Sequence, residues 1–444
     1  MGGHGYHFGN LDRRLQDRFW RLVSSHVHSV NAAVNGLTAL PGTALPFAAT
    51  RAMSRFLRNG AVGFHALLEP ALDAVRTALA DSPSPFALVV HDWCMFQFHT
   101  HAGKADRLQR THANDLGYEL GTALVVDAAD GRPLGPAEFR LRTGAGMRTT
   151  RSGGAALPPG HVDELLGAMD ESPRWQLGKI PVHLVDREAD SVGHYRAWRA
   201  AGHRFLVRAD DRFVRWRGRE VRLAAVAAGL GPQFAEVRTP SGDPELVAVR
   251  TGIGRLKVAE AEVVLDRPAK TRRGDKQVEV PGPAIPLRLV VSRVVDELGV
   301  VRAEWLLLTD VPAAEAAAAT VARWYAWRWR IETYHKLMKS SGMNAEEWQQ
   351  ERGDAFLRRL LVASMAALTV WHLGRDESPD AARLRTILVR LSGRQMGRGV
   401  DSTPAALLAG LEKLLGLEDL LQTEDLAEVH ELARKVLPTL FRSG

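Results

Sequence analysis

The sequence contains very little cysteine and no apolar run of membrane-spanning length. Cys94 is the only cysteine in 444 residues, which excludes an intrachain disulfide and favours a reducing compartment. The first residues lack the apolar core of a signal peptide. The longest apolar run near the carboxyl terminus, residues 361–371, is too short to span a bilayer and predicts a buried helix. We therefore expect a cytoplasmic protein that has no membrane partner.

The sequence also lacks a Walker-type phosphate loop, which argues against a nucleotide-dependent activity. Its composition, with 45% hydrophobic and 25% charged residues, is that of a globular protein, and its length predicts several domains. Lysine and arginine number 58 against 51 aspartates and glutamates, a net charge of +7. This excess weakly favours a polyanionic partner such as nucleic acid.

Residues 1–80 are predicted to form a helical N-terminal domain. Arg51, Arg55 and Arg58 recur at helical spacing and would line one helix face. Basic faces of this kind are usually solvated, but beside a DNA-processing core they would bind DNA.

The next segment predicts an α/β core. Strands are predicted at 86–92, 118–126 and 137–142, then a helix at 161–170, a strand at 180–186, a helix at 191–201 and a strand at 204–208. This order matches the ribonuclease-H-like core. In that core one metal-binding carboxylate lies on the first strand and another lies just after the fourth, which places Asp92 and Asp186 at strand ends.

A β-rich stretch, residues 209–300, is predicted to interrupt a catalytic domain that spans residues 81–375. From residue 311 the pattern is helical almost to the end. Residues 376–444 are predicted to form a helical C-terminal domain, in which Thr403 and Pro404 have the residue types of a helix cap and first turn. The leucines of this domain either pack in its core or form a contact with a second subunit.

The most informative segment is 321–339, which we predict to be a single helix. One acid, two lysines, an arginine and a tyrosine recur there in steps of three or four and would share one face. These residues are Tyr325, Arg328, Glu332, Lys336 and Lys339. The charge spacing alone favours a solvated helix face with ordinary salt bridges.

Asp92, Asp186 and Glu332 come from separate segments of the chain, as the ligands of a two-metal site for phosphoryl transfer do. Mg²⁺ favours sparse carboxylate ligands completed by water and by substrate phosphate oxygens. We therefore expect these three acids to hold two Mg²⁺ ions, with Mn²⁺ as a substitute.

The segment Tyr325-x2-Arg328-x3-Glu332-x6-Lys339 resembles the Y-x2-R-x3-E-x6-K signature of bacterial DDE transposases of the insertion-sequence-four family. The stretch from Asp186 to Asp190, with the sequence DREAD, resembles that family's motif around its second metal-binding aspartate. Val90-His-Asp92 resembles the end of its first strand. Asp92 is followed here by Trp-Cys, where a compared member has small hydroxylated residues. The resemblance covers roughly residues 45–375.

The resemblance implies a cut-and-paste DNA transposase. Such an enzyme hydrolyses one strand at each transposon end, forms and opens a hairpin, and joins the ends to target DNA as a homodimer. It implies Asp92, Asp186 and Glu332 as catalytic metal ligands. Contacts with double-stranded DNA are implied for Tyr325, Arg328, Lys336 and Lys339, and contacts with a flipped base for Trp305 and Trp329. For Trp305, which lies in an apolar run, core packing is the alternative.

Two other functions stay open. A metal-dependent nuclease of the same fold would cleave DNA without joining it, and a non-catalytic descendant would only bind DNA. The presence of all three acids argues against the second alternative. A strand-joining assay separates the first from a transposase.

Overall fold

The computed structural model begins with a group of helices that pack on a later one. It describes residues 8, 11–28, 46–110, 112, 114–151, 160–239, 241–249, 252–273, 276–340, 342–397, 400–422 and 424–436. The first helices are α1 (Arg13–His28), α2 (Pro46–Arg58) and α3 (Phe64–Ala80). Their apolar faces are buried against the long helix α9 (Gly353–Arg375). The predicted helical character of this region is confirmed for its described part.

The strands between residues 86 and 208 form the first half of a large mixed sheet. The elements are β1 (Phe86–Gln97), β2 (Leu108–Gln109), β3 (Leu116–Asp127), β4 (Pro133–Thr143), β5 (Gly146–Thr149), α4 (Leu165–Glu171), β6 (Ile180–Val185), α5 (Val192–Ala200) and β7 (Arg204–Arg208). Their spatial order is β5-β4-β3-β1-β6-β7, and the short β2 pairs with β3. Strand β1 is antiparallel to β3 and parallel to β6, which is parallel to β7. The predicted succession of strands and helices is confirmed.

The β-rich stretch that follows is continuous with this sheet. Its elements are β8 (Phe213–Trp216), β9 (Arg219–Arg222), α6 (Leu223–Gly229), β10 (Ala235–Glu236), β11 (Leu246–Val249), β12 (Gly252–Leu265), β13 (Ala269–Arg273), β14 (Lys276–Val280), β15 (Ile285–Val295) and β16 (Val301–Thr309). Strand β16 pairs with β7 on one side and β15 on the other, and the order continues to β12, β8 and β9. Only β13 and β14, among the described strands, form a separate hairpin.

Helices make up the remainder of the chain. They are α7 (Ala318–Trp327), α8 (Arg330–Lys339), α9, α10 (Pro379–Ser392), α11 (Pro404–Leu421) and α12 (Leu426–Val436). Thr403 caps α11 by accepting a hydrogen bond from the backbone N–H of Ala406, with Pro404 in the first turn, as predicted. Helix α9 is long and apolar enough to cross a membrane, but 83% of its apolar window is buried inside the protein. It is the core helix predicted from the apolar run.

The sheet separates two apolar cores. Helices α3, α8 and α9 cover one face, and α4, α5 and α6 cover the other. Because successive side chains of a strand point to opposite faces, Cys94 packs into the first core while Trp93 packs into the second. Asp92, which precedes Trp93, therefore lies on the side of α8.

Candidate active site

Asp92 lies in the interior of a strand. The prediction that β1 ends at this residue is wrong, because the strand continues to Gln97. The longer strand is stabilised by β3, which pairs with β1 in register from Ala87 to Gln97. The parallel pairing with β6 stops at Val90, so Asp92 lies where β1 separates from β6. One carboxylate oxygen of Asp92 accepts a hydrogen bond from the backbone N–H of Trp93 at 2.8 Å.

Asp186 directly follows strand β6, as predicted. Its extended backbone and short side chain suit a helix cap, and its Oδ1 accepts a hydrogen bond from the N–H of Glu188 at 2.9 Å. This contact closes the single turn at Arg187–Ala189. Since β1 and β6 are adjacent parallel strands, Asp92 and Asp186 emerge at the same end of the sheet.

The segment that carries Glu332 is two helices, so the prediction of one continuous helix is wrong. A tight turn joins α7 to α8, in which the N–H of Arg328 bonds to the carbonyl of Tyr325 at 3.1 Å. The turn between β3 and β4 contacts both helices at this junction. Gly131, with φ of +74°, leaves room for the indole of Trp327, and its carbonyl accepts a hydrogen bond from Arg330 at 3.1 Å.

Arg328 is the residue that links two of the predicted acids. Its Nη2 lies 2.7 Å from Oε1 of Glu332, and its Nη1 lies 3.7 Å from Oδ2 of Asp92. The guanidinium also lies near the rings of Tyr325 and Trp329, with its carbon 5.9 and 5.3 Å from their centroids. Despite the break in the helix, Tyr325, Arg328 and Glu332 therefore remain on one side.

The charges of the other two acids act on Asp92. Burial raises the pKa of Asp92 to about 6; the N–H of Trp93 and the Arg328 guanidinium oppose this shift, and the Asp186 and Glu332 carboxylates add to it. Burial also raises the pKa of the Tyr325 hydroxyl, and Asp186 contributes to that shift as well. Within the described residues, no group of three or more His, Cys, Asp or Glu side chains is arranged to hold a metal ion. The acids share one electrostatic environment with Arg328 between two of them.

The remaining predicted DNA-contacting residues surround this cluster at different depths. Trp329 is 57% exposed, so much of its indole faces solvent. Trp305 is half-buried and lies 6.4 Å from the ring of Tyr325. Lys336 is exposed. Lys339 is half-buried and donates to the carbonyl of Met95 at 2.6 Å on strand β1.

The three N-terminal arginines lie on helix α2, away from these contacts. Arg51, Arg55 and Arg58 are all exposed. Arg58 pairs with Glu351 at 3.0 Å, in the segment that leads into α9. Their shared, solvent-facing position agrees with the predicted basic helix face.

Sequence reasoning did not identify the side chains that connect the two aspartate strands. His161 stacks on Trp93 and bonds to Glu188, which places it against residues next to both Asp92 and Asp186. Its neighbours in the chain carry no motif. The one available signal was the large Trp93 at a position where a compared transposase has a small residue.

Comparison with known families adds an independent line of support. Residues 160–369 match the model of the transposase DDE domain. The match begins after Asp92 and includes Asp186, Glu332 and the whole α7–α8 segment. Proteins of this class act on DNA. The match therefore supports a transposase of the DDE type.

Proposed function

We propose that this protein is a metal-dependent DNA transposase of the insertion-sequence-four family, with a ribonuclease-H-like core. The observation that carries the proposal is the shared environment of Asp92, Asp186 and Glu332 at the end of the β1–β6 pair. The family match, which contains two of the three acids, supports it. The strand order β3-β1-β6-β7, with two parallel crossovers, supports the assignment of the core.

The donor chemistry of the three acids fits a divalent cation, although the metal-free side chains of the described residues are not arranged as a metal-binding group. Asp92 is a buried carboxylate whose pKa is raised by burial and by two like charges, and a bound cation would relieve both effects. All three side chains offer the oxygen ligands that Mg²⁺ or Mn²⁺ prefers. We assign two ions to Asp92, Asp186 and Glu332. Such ions would stabilise charge on the attacking and leaving oxygens of phosphoryl transfer.

Arg328 is 7% exposed and lies between two of the acids. In its metal-free arrangement the guanidinium offsets the charges of Asp92 and Glu332. Its Nε is buried and, in the described part of the chain, has no hydrogen-bond partner. Because guanidinium groups bind phosphate through several donors, we assign Arg328 to the scissile region of the DNA backbone.

The other assigned contacts follow from charge and from position on the same side as Arg328 and Glu332. Lys336 and Lys339, on the same side of α8 as Glu332, are assigned to backbone phosphates, together with the Tyr325 hydroxyl. The exposed indole of Trp329, with Trp305 behind Tyr325, is assigned to an unstacked base at the transposon end.

The proposal includes the whole reaction sequence and its assembly. One strand is hydrolysed, the freed 3′-hydroxyl forms a hairpin on the opposite strand, the hairpin is opened, and the ends are joined to target DNA. We assign residues 1–80, through Arg51, Arg55 and Arg58, to DNA binding. Residues 81–375 form the catalytic domain with the insertion at 209–300, and residues 376–444 support a homodimer. The site of action is the cytoplasm, on the nucleoid.

The decisive test is the substitution Glu332→Ala, assayed with labelled duplexes that carry the sequences flanking the coding region. We expect cleavage to fall by about 10³-fold or more, while gel-shift binding of the duplex is largely retained. Glu315→Ala is a matched control. Glu315 also pairs with an arginine, Arg204, at 3.0 Å, and its side chain is 35% exposed against 38% for Glu332. Retained cleavage by the Glu332 variant would falsify the metal assignment.

A second arm of the test distinguishes a transposase from a nuclease. Pre-cleaved ends are incubated with the wild-type protein, Mg²⁺ and a supercoiled plasmid. Joined product supports the transposase. Cleavage of intact ends without any joined product would favour a nuclease of the same fold, and binding without cleavage would favour a non-catalytic descendant.

A further inference from the structure

The imidazole of His161 contacts Trp93, next to Asp92, and Glu188, in the turn that begins at Asp186. His161 follows the segment 152–159, which is outside the described residues, and precedes α4. Its side chain is only 11% exposed. Because the ring is nearly enclosed, its orientation is set by its neighbours.

One neighbour belongs to the Asp92 strand. The His161 ring stacks on the indole of Trp93, with centroids 4.6 Å apart and planes at 29°. The backbone N–H of Trp93 is the group that donates to the Asp92 carboxylate at 2.8 Å. The stacking therefore restrains the same residue that orients Asp92.

The other neighbour belongs to the Asp186 turn. Nε2 of His161 lies 2.7 Å from the Glu188 carboxylate. A carboxylate accepts hydrogen bonds, so Nε2 is the donor in this contact. The backbone N–H of Glu188 in turn donates to Asp186 at 2.9 Å. The Glu188 side chain is 55% exposed, and this hydrogen bond connects its carboxylate to the nearly enclosed imidazole.

The far side of the imidazole is fixed as well. Nδ1 lies 3.0 Å from Glu119 on β3 and 3.2 Å from Arg110, and these two residues form an ion pair with each other. Glu119 also pairs with Arg142 on β4. The Nδ1 side of the ring is thus attached to the central sheet, and its Nε2 side contacts Glu188.

We propose that His161 is a positioning residue that fixes Asp92 and Asp186 relative to each other for cation binding. This inference rests on the proposed function, since it concerns the same acids. His161 does not touch the cation or the DNA; it acts through the backbone groups of Trp93 and Glu188. Groups that orient metal ligands in this way typically change metal affinity by about 10–100-fold when removed.

The test is the affinity of the full-length protein for Mn²⁺ alone, measured by electron paramagnetic resonance of the free ion. We expect His161→Ala to weaken binding by about tenfold or more. His161→Gln places an amide donor near the position of Nε2 and is expected to retain most of the affinity. His161→Asn places its amide near Nδ1, does not reach Glu188, and is expected to behave like His161→Ala.

His203→Ala is the matched control. His203 donates to Asp170 at 2.7 Å, and the exposures of that pair, 11% and 56%, are nearly those of His161 and Glu188. We expect the control to bind Mn²⁺ as the wild type does. Adding Glu188→Ala to His161→Ala should cause little further loss, because both changes remove the same contact.

The variant Asp186→Ala distinguishes a failure of the metal assignment from a failure of the positioning role. If the wild type binds no Mn²⁺, or if Asp186→Ala binds as tightly as the wild type, the metal assignment fails and this inference fails with it. If Asp186→Ala loses binding while the alanine and asparagine variants of His161 do not, only the positioning role is refuted. If His161→Ala unfolds at a lower temperature than the wild type, its Mn²⁺ affinity is set aside and the glutamine and asparagine variants are compared instead. Tighter Mn²⁺ binding by His161→Gln than by His161→Asn supports the positioning role, and equal binding refutes it.

Discussion

Replacing Asp92 with asparagine is expected to stabilise the metal-free protein. Asp92 is buried beside Asp186 and Glu332, and its pKa is raised from 3.8 to about 6. A carboxyl group whose pKa is raised by folding contributes stability below its unfolded pKa, and that stability is lost as the pH rises through the folded pKa. Above pH 6 the ionised Asp92 therefore opposes folding, and an uncharged isostere removes the penalty.

The size of the effect follows from the shift. Each pKa unit corresponds to about 1.4 kcal/mol, so a shift of roughly two units gives about 3 kcal/mol at pH 8 as an upper value. At pH 5, between the two pKa values, about half of that difference is expected. Mg²⁺ should reverse the order, since the wild type gains a bound cation and Asp92→Asn loses a ligand.

The measurement is urea unfolding at pH 8 and pH 5, in EDTA and in Mg²⁺. Asp310→Asn is the control, because burial also raises the pKa of Asp310 to about 6. Asp310 directly follows β16, and its carboxylate accepts a hydrogen bond from the N–H of Phe205 on β7. The Asp310→Asn protein should be more stable than the wild type in EDTA, and Mg²⁺ should stabilise it as much as it stabilises the wild type. A metal-free Asp92→Asn protein that is less stable than the wild type at pH 8 would refute the reasoning.

Two further predictions concern stability. Burial lowers the pKa of His26 to about 3, so its neutral form stabilises the fold above pH 6.5 and that contribution is lost as pH falls, by about 1.4 kcal/mol per unit. His26→Gln should therefore show a shallower loss in urea unfolding between pH 6.5 and 5, and parallel slopes would contradict this. A Cβ at Gly410 in α11 would overlap the backbone of Leu388 in α10. Gly410→Ala should cost about 1–3 kcal/mol and expose the C-terminal helices to limited proteolysis, whereas Gly416→Ala, with open space around it, should not; equal protection of both variants would refute the packing argument.

The order of the core strands could be predicted because its signals are local. Apolar runs of strand length and the acid after β6 each occupy a few neighbouring residues. Asp186 was therefore placed correctly. The length of β1 could not be predicted in the same way, because the residues beyond Asp92 are held by pairing with β3, which depends on a distant part of the chain.

In the candidate site, too, features set by neighbouring residues could be predicted, and features set by distant segments could not. The spacing of Tyr325, Arg328 and Glu332 predicted that they lie together, and they do. The break between α7 and α8 arises from contacts with the β3–β4 turn at Gly131, which helical periodicity does not encode. The contacts of His161 with Trp93 and Glu188 likewise join three separate segments.

The continuity of the β-rich stretch with the central sheet has a consequence for biosynthesis. Glu332 follows the whole of that stretch in the chain, and α7 packs on β12 and β15 within it. At usual translation rates roughly 10–50 s separate the synthesis of Asp92 from that of Glu332. Until Glu332 is made, a nascent chain lacks at least one of the three proposed metal ligands, so under the proposed mechanism it would not cut the DNA near which it is made.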